Sequence, residues 1–121
     1  MALTLFGIPN CDTVKRARSH LDAAGISFEF HDFKKAGLDK ETANAMIEHL
    51  GADAINRRGT KWRSLTDDEK ALGDSDPASL MVTHPTLAKR PVWRLEADGE
   101  VHWKNGFKKG EEDQYDLWLK G

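Results

Sequence analysis

The sequence of 121 residues contains a single cysteine, Cys11, which lies in the polar run Pro-Asn-Cys-Asp-Thr. One cysteine cannot form an internal disulfide, so oxidation does not hold this fold together. Most lone cysteines are buried and behave as small apolar side chains, but a polar turn is a poor place to bury an apolar group. We therefore predict that Cys11 is a reactive thiol with a nucleophilic role.

The spacing around Cys11 argues against two common kinds of thiol chemistry. A Cys-x-x-Cys oxidoreductase needs a second cysteine at position 14, where this chain has Val14, so the second thiol must come from another molecule. A phosphatase-type loop needs Cys-x5-Arg, but that place holds Ala17, and we expect the flanking Arg16 and Arg18 to point elsewhere. A protease-like Cys–His pair stays open, although nothing in the spacing of the five histidines supports it or a metal site.

The segments around Cys11 predict that it stands at the start of a helix. Residues 3–6 form an apolar run typical of a short buried strand, and turn residues follow it. After the cysteine, apolar residues recur at helical spacing until Gly25. Free N–H groups and the positive end of the helix dipole stabilise an anion at a helix start, so this position favours a thiolate. Nearby basic residues add to this effect, and Asp12 opposes it; the basic residues are Lys15, Arg16 and Arg18.

The rest of the chain predicts a single α/β domain over residues 1–121. The alternating segment 26–33 predicts a second strand, and strand, helix and strand in this order indicate a parallel βαβ unit. A helix is expected from about Asp39 to Leu50. Residues 52–88 are expected to form a helical insert, with short helices at 53–57, 66–72 and 77–84.

The C-terminal part of the chain returns to strands. Segments 92–97 and 100–103 flank Asp98-Gly99, a strong hairpin signal, and we expect a glycine bulge that places Leu95 opposite Trp103. A final helix is expected from about Glu111. The order βαβα, helical insert, ββα is that of a thioredoxin-like fold with a helical insertion. Cys11 then lies at the carboxyl end of the sheet, where open α/β sheets bind ligands.

Composition narrows the class of protein and its partners. The net charge of −2 gives no reason to expect nucleic acid or an anionic membrane as a partner. No apolar run approaches the roughly 20 residues that a membrane span needs. The first eight residues are too short, and lack the basic flank, for a secretory signal. We expect a monomer in the cytoplasm.

Three segments together resemble a known family. They read G-I-P-N-C-D-T-V-K-R-A-R at 7–18, I-N-R-R-G-T-K-W-R at 55–63 and P-T-L-A-K-R-P-V at 85–92. In order and spacing they resemble the arsenate reductase family, in particular its small YffB-like branch, which is related to the Spx-type transcription regulators. The resemblance covers nearly the whole chain and ends with N-G-F-K at 105–108.

The resemblance implies a nucleophile and part of an anion site. Reductases of this family use the cysteine at the helix start as nucleophile on an oxyanion, and Cys11 matches it. They hold the oxyanion with three arginines, of which Arg57, with Arg58 as its neighbour, matches the first and Arg90 matches the second. The loop residues Asn10, Asp12 and Thr13 are expected to belong to the same site.

Two further positions follow from the resemblance. Pro91 matches the cis-proline that faces the cysteine in thioredoxin-like folds. The third arginine is absent, and the corresponding segment of this chain offers Lys108. A lysine supplies charge but not the planar, two-pronged contact that suits an oxyanion, so specificity for arsenate is in doubt.

Glutathione, a thiol with two carboxylates, suits a basic cleft and supplies the external sulfur that a single-cysteine enzyme needs. We therefore predict a glutathione-dependent thiol reductase with no bound cofactor or metal, which uses glutathione or glutaredoxin and acts on a small oxyanion or a mixed disulfide. Two alternatives stay open. One is a true arsenate reductase coupled to glutathione and glutaredoxin. The other is an Spx-like, non-enzymatic regulator that binds RNA polymerase, against which the missing Cys-x-x-Cys counts.

Overall fold

A computed structural model describes residues 1–120 and contains one sheet of four strands. The strands are β1 (Ala2–Gly7), β2 (Glu29–Asp32), β3 (Val92–Ala97) and β4 (Glu100–Asn105). Their order in the sheet is β2-β1-β3-β4, in which β1 and β2 are parallel and the other two pairs are antiparallel. Helix α1 (Asp12–Ala23) connects the parallel pair, so the predicted βαβ unit is confirmed.

Helices cover both faces of this sheet, as the predicted thioredoxin-like fold with a helical insertion requires. Helix α1 and the C-terminal helix α7 (Glu112–Leu119) share one apolar core with the sheet. The insert between β2 and β3 packs in a second core. No helix of residues 1–120 combines the length and apolar character needed to cross a bilayer. The insert contains α2 (Phe33–Ala36), α3 (Lys40–Leu50), α4 (Thr60–Arg63), α5 (Asp67–Ser75), α6 (Pro77–Thr83) and 3-10 turns at Gly51–Ala54 and Pro85–Leu87.

Alternation along the strands assigns side chains to the two cores. In β1, Leu3 and Leu5 pack with α1 and α7, whereas Phe6 packs with the insert. In β3, Val92 joins the core of the insert and Trp93 joins the other. Because successive side chains of a strand point to opposite faces, one central pair of strands supplies both cores.

The hairpin between β3 and β4 is tighter than expected. Leu95 pairs with His102 and Ala97 with Glu100, so the predicted bulge with Leu95 opposite Trp103 is wrong. Asp98 and Gly99 have φ of 55° and 78°. Two consecutive residues in the left-handed region are what a two-residue hairpin turn needs, and this removes the need for an extra residue.

The insert also departs from its predicted boundaries. The helix expected at 53–57 is wrong beyond Ala54, because Ile55 forms an isolated antiparallel bridge with Ala88. Asn56 N donates to Leu87 O at 2.8 Å, and Lys89 N donates to Ala54 O at 3.2 Å. Segments 54–56 and 87–89 therefore run side by side, and the second of them leads into β3. Helices α2 and α4 are short helices that the sequence pattern did not predict.

A capping box at the start of α5 is also linked to the end of α6. The Glu69 carboxylate accepts a hydrogen bond from Thr66 N at 3.0 Å and lies 2.6 Å from His84 Nε2. The backbone hydrogen bond from Thr66, and secondly the contact with His84, lower the pKa of Glu69 from 4.5 to about 2.

This shift predicts a specific pH dependence of stability. A carboxyl group whose pKa is lower in the folded state stabilises the fold above its unfolded pKa, and this contribution is lost as the pH falls from about 4.5 towards 2. Glu69→Gln keeps an acceptor for Thr66 N but cannot titrate, so the urea midpoint of this variant should fall less over that range than the wild-type midpoint.

The control for this experiment is Asp68→Asn. It removes the same charge one residue away, from a side chain that makes no hydrogen bond or ion pair within residues 1–120. Its midpoint should follow the wild-type profile. Equal slopes in both variants would contradict the assignment to Glu69.

The end of β1 packs directly against α1, which fixes the distance between the sheet and this helix. A Cβ at Gly7 would lie 2.7 Å from Cγ2 of Val14, a side chain that is fully buried. Gly7→Ala should therefore push α1 away and lower the free energy of unfolding by about 1–3 kcal/mol. Val14→Ala makes room for the methyl group, so the double variant should lose less than the two single losses added together. Additive losses in urea denaturation would argue against the close contact.

Candidate active site

Cys11 is the N-cap residue of α1, as the sequence predicted. Its backbone is extended, with φ −91° and ψ 124°, and its carbonyl accepts the first helical hydrogen bond from Lys15 N at 2.9 Å. The side chain makes no capping hydrogen bond, and the half-buried thiol is free. The N–H groups of the first turn and the dipole of α1 are therefore available to a negative charge at this point.

The thiol opens into a cleft of about 610 Å³ that is strongly basic. Four cationic side chains and one carboxylate line it, although the whole chain carries a net charge of −2. Positive charge is thus concentrated around the one cysteine, which is the arrangement expected for a site that binds an anion. The charged residues are Arg16, Lys89, Arg90, Lys108 and Glu111.

Arg16 reaches this cleft from α1, one turn beyond the thiol, so the expectation that it points elsewhere is wrong. Its Nη2 donates to Phe107 O at 2.6 Å, and its guanidinium lies 5.5 Å from the centre of the Phe107 ring. By contrast, Arg18 lies over the ring of Phe30 at 4.1 Å, beside the edge strand β2. The Phe107 carbonyl therefore orients Arg16 into the cleft.

Lys89 and Arg90 enter the cleft immediately before β3. The peptide bond between Arg90 and Pro91 is cis, as the resemblance implied. Pro91 is fully buried, and its carbonyl accepts a hydrogen bond from Gly106 N at 2.8 Å. The proline itself is not among the side chains that line the cleft, whereas Arg90 is.

The segment 105–107, which runs from the last residue of β4 towards α7, is held by a side chain at each of its three carbonyls. Tyr115 OH donates to Asn105 O at 3.1 Å, and Trp93 Nε1 donates to Gly106 O at 2.8 Å. The third contact is the one from Arg16. Trp93 and Tyr115 are buried, so two of the three donors are themselves fixed by the core. Lys108 follows this segment directly and is placed by it.

The structure brings together only part of the predicted site. Thr13, Arg90 and Lys108 line the cleft with Cys11, whereas Asn10 and Asp12 are exposed and do not line it. Asn10 and Asp12 belong to the turn and the first residue of α1, and their side chains face solvent.

Arg57 and Arg58 also lie outside the cleft. Arg57 Nη2 donates to Asp74 Oδ1 at 3.1 Å and to Gly73 O at 3.2 Å, and its guanidinium lies 4.8 Å from the ring centre of Trp62. It lines a different cavity, next to α5. Arg58 is exposed, and its backbone N–H donates to Asn56 Oδ1 at 3.1 Å. The structure therefore does not bring Arg57 to the thiol.

Asn56 takes the place in the cleft that the sequence assigned to Arg57. The bridge between Ile55 and Ala88 makes this stretch extended, and neighbouring side chains of an extended chain point to opposite sides. Treating 53–57 as helical concealed that alternation. Lys89 could have been found beside Arg90 in the basic segment, but Glu111 and Tyr115 reach the cleft through the packing of α7, for which the local pattern holds no signal.

Comparison with solved structures supports both the fold and the family. The YFFB protein is 37% identical and superposes with a TM-score of 0.82, with coverage of 98% of this chain and 99% of that protein. An arsenate reductase (ArsC) related protein from Brucella melitensis is 40% identical, with a TM-score of 0.71 and coverage of 96% and 95%.

Curated sequences give relatives of two kinds. An uncharacterized protein of Haemophilus influenzae is 37% identical over 92 residues, which is 74% of this chain and 81% of the relative. The global transcriptional regulator Spx of Streptococcus agalactiae is 29% identical over 93 residues, 74% of this chain and 68% of that regulator.

The model of the ArsC family matches residues 6–111, which include the thiol and all five charged residues of the cleft. The match therefore extends over both halves of the sheet and the whole insert. On this evidence, the chain belongs to the ArsC family.

Proposed function

We propose that the protein is a glutathione-dependent thiol reductase whose nucleophile is the thiolate of Cys11. The observation that carries this proposal is a free thiol at the N-cap of α1, open to a cleft with four cationic side chains. The helix start and the cations both favour the thiolate, which is the attacking form of cysteine. The ArsC family and its arsenate reductase-related members support a thiol reductase.

The reaction proceeds by two thiol–disulfide exchanges. The Cys11 thiolate attacks the glutathione sulfur of a mixed disulfide, a new disulfide forms between Cys11 and glutathione, and the substrate leaves as a thiolate that takes up a proton. A second glutathione thiolate then attacks the glutathione sulfur on Cys11. Oxidised glutathione leaves, and the Cys11 thiolate is restored. Overall, one mixed disulfide and one glutathione give one thiol and one oxidised glutathione.

The single cysteine makes the external thiol necessary. Val14 occupies the position at which a resolving cysteine would stand in a Cys-x-x-Cys motif, so the disulfide on Cys11 can be opened only by another molecule. Glutathione carries two carboxylates, and Arg90 and Lys108 offer two charged donors to such groups in the same cleft. A glutaredoxin could take the place of the second glutathione.

Arsenate is a second candidate substrate. Two guanidinium groups, those of Arg16 and Arg90, line the cleft, and a relative from Brucella melitensis is described as related to arsenate reductase. In that reaction arsenate and two glutathione molecules would give arsenite, oxidised glutathione and water. Lys108 lacks the bidentate grip of an arginine, which favours the mixed disulfide over the oxyanion.

A role like that of the Spx relatives is the non-enzymatic alternative. Such a regulator would retain the RNA polymerase α subunit in a pull-down, and Cys11→Ser would leave that retention unchanged. The missing second cysteine counts against a redox switch of the Cys-x-x-Cys type in this chain.

The reductase proposal predicts that turnover depends on the Cys11 sulfur. Wild-type protein should reduce the mixed disulfide of cysteine and glutathione, measured through NADPH and glutathione reductase, and Cys11→Ser should be inactive. With glutathione omitted, intact-protein mass spectrometry should show one glutathione on Cys11. An active Cys11→Ser, or the absence of glutathione on Cys11 in that measurement, would contradict the proposal.

A comparison of ligands and substrates distinguishes the thiol reductase from the arsenate reductase. In amide chemical-shift titrations, glutathione should move the resonances of Cys11, Asn56 and Arg90, because these residues line one cleft. If arsenate is turned over with glutathione while the mixed disulfide is not, the arsenate reductase alternative replaces the proposal.

The placement of the arginines predicts unequal effects of two matched substitutions. Arg90→Ala removes a cation from the cleft and should lower kcat/KM by about tenfold or more. Arg57→Ala removes an exposed contact with Asp74 and should change kcat/KM by less than about threefold, with a stability loss of about 0.2–1 kcal/mol for the ion pair. The reverse order of effects would restore Arg57 to the site in place of Asn56.

A further inference from the structure

Glu111 is the one carboxylate that lines the basic cleft, and it has no partner within residues 1–120. It is the N-cap residue of α7, half-buried, and its side chain makes no hydrogen bond and no ion pair within 4 Å in that part of the chain. The neighbouring Glu112 differs, because its carboxylate accepts from Gly110 N at 3.1 Å and 3.2 Å. Glu111 therefore has a free acceptor in a cleft whose other charged residues are all cations.

The Glu111 carboxylate lies on the cleft side of α7. Burial, and secondly the negative charge of Glu111, raise the pKa of Tyr115, whose hydroxyl donates to Asn105 O. Tyr115 and Asn105 both line the cleft. The charge of Glu111 therefore acts on the side of the cleft that is formed by α7 and the segment 105–107.

Arg16, the cation from α1, does not neutralise this carboxylate. Its nearest polar contact is the Phe107 carbonyl at 2.6 Å. Lys89, Arg90 and Lys108 form no ion pair within 4 Å among residues 1–120. The cleft thus offers unpaired cations and an unpaired carboxylate, the pattern that suits a ligand carrying both signs of charge.

We propose that Glu111 binds the α-ammonium group of the γ-glutamyl residue of glutathione and makes the cleft selective for a zwitterion. The carboxylates of the ligand then lie on the cationic side chains. This inference rests on the proposed function, because it assigns an orientation to the ligand of that reaction. Glu111 also repels a ligand that carries negative charge alone, so it lowers the affinity of the cleft for an inorganic oxyanion.

The experiment compares three ligands on wild-type protein and Glu111→Gln by calorimetry or amide titration. S-methylglutathione has the ammonium and no reactive thiol, its N-acetyl derivative lacks the ammonium, and phosphate carries negative charge only. Glu111→Gln should lower the affinity for S-methylglutathione by roughly three- to tenfold. The affinity of this variant for the N-acetyl derivative should stay within about twofold of the wild-type value or rise, and its affinity for phosphate should rise.

The matched control is Asp113→Asn in the same first turn of α7. Asp113 is exposed, does not line the cleft and makes no hydrogen bond or ion pair within residues 1–120. This variant should bind all three ligands as wild type does. Acidic side chains at a helix start also interact favourably with the helix dipole. Thermal unfolding of both variants measures this separate contribution to the stability of α7.

The outcomes distinguish a failure of the proposed function from a failure of the role assigned to Glu111. If wild-type protein binds neither glutathione derivative, the proposed function fails and this inference fails with it. If wild type binds S-methylglutathione and Glu111→Gln weakens both derivatives equally, the inference is overturned while the reductase proposal stands. An unchanged or weaker affinity of Glu111→Gln for phosphate would also overturn it.

Discussion

Three hydrogen bonds to the backbone of the segment 105–107 hold the two sides of the candidate site together. The donors come from α1, β3 and α7, and each takes a different carbonyl. A hydrogen bond of this kind contributes about 0.5–1.5 kcal/mol, and more when the donor is charged, as in Arg16. Their larger effect is geometric. Arg16 fixes the helix that begins at Cys11 to the segment that precedes Lys108. The thiol and the Lys108 side chain are therefore held on parts of the structure that are tied together.

The second wall of the cleft depends on the extended contact just before β3. Segments 54–56 and 87–89 pair through their backbones, and this pairing sets which side of each segment faces the thiol. As a result, Asn56 lines the cleft, whereas Arg57 contacts Asp74 and Trp62 outside it. The insert therefore contributes to the site by its backbone register, and the helices of the insert support that register by packing against the sheet.

Local chemistry made much of this molecule predictable from its sequence. A polar turn followed by apolar residues at helical spacing predicts the start of a helix, and Cys11 is found at that start. The capping box of Thr66 and the existence of a hairpin at Asp98-Gly99 are equally local, although the predicted register of that hairpin is wrong. At the candidate site, the predictions were wrong or incomplete where the outcome depends on distant partners. The Phe107 carbonyl directs Arg16, the bridge to Ala88 decides the direction of Asn56, and the packing of α7 places Glu111, and none of these partners is close in sequence.

The contact between Arg16 and Phe107 spans 91 positions of the chain. During synthesis, Cys11 emerges from the ribosome long before the carbonyl that orients its neighbouring arginine. The thiol therefore stays outside its basic surroundings until β4 and the segment 105–107 have been made. A translation product that ends before this segment would carry the cysteine without the charged cleft around it.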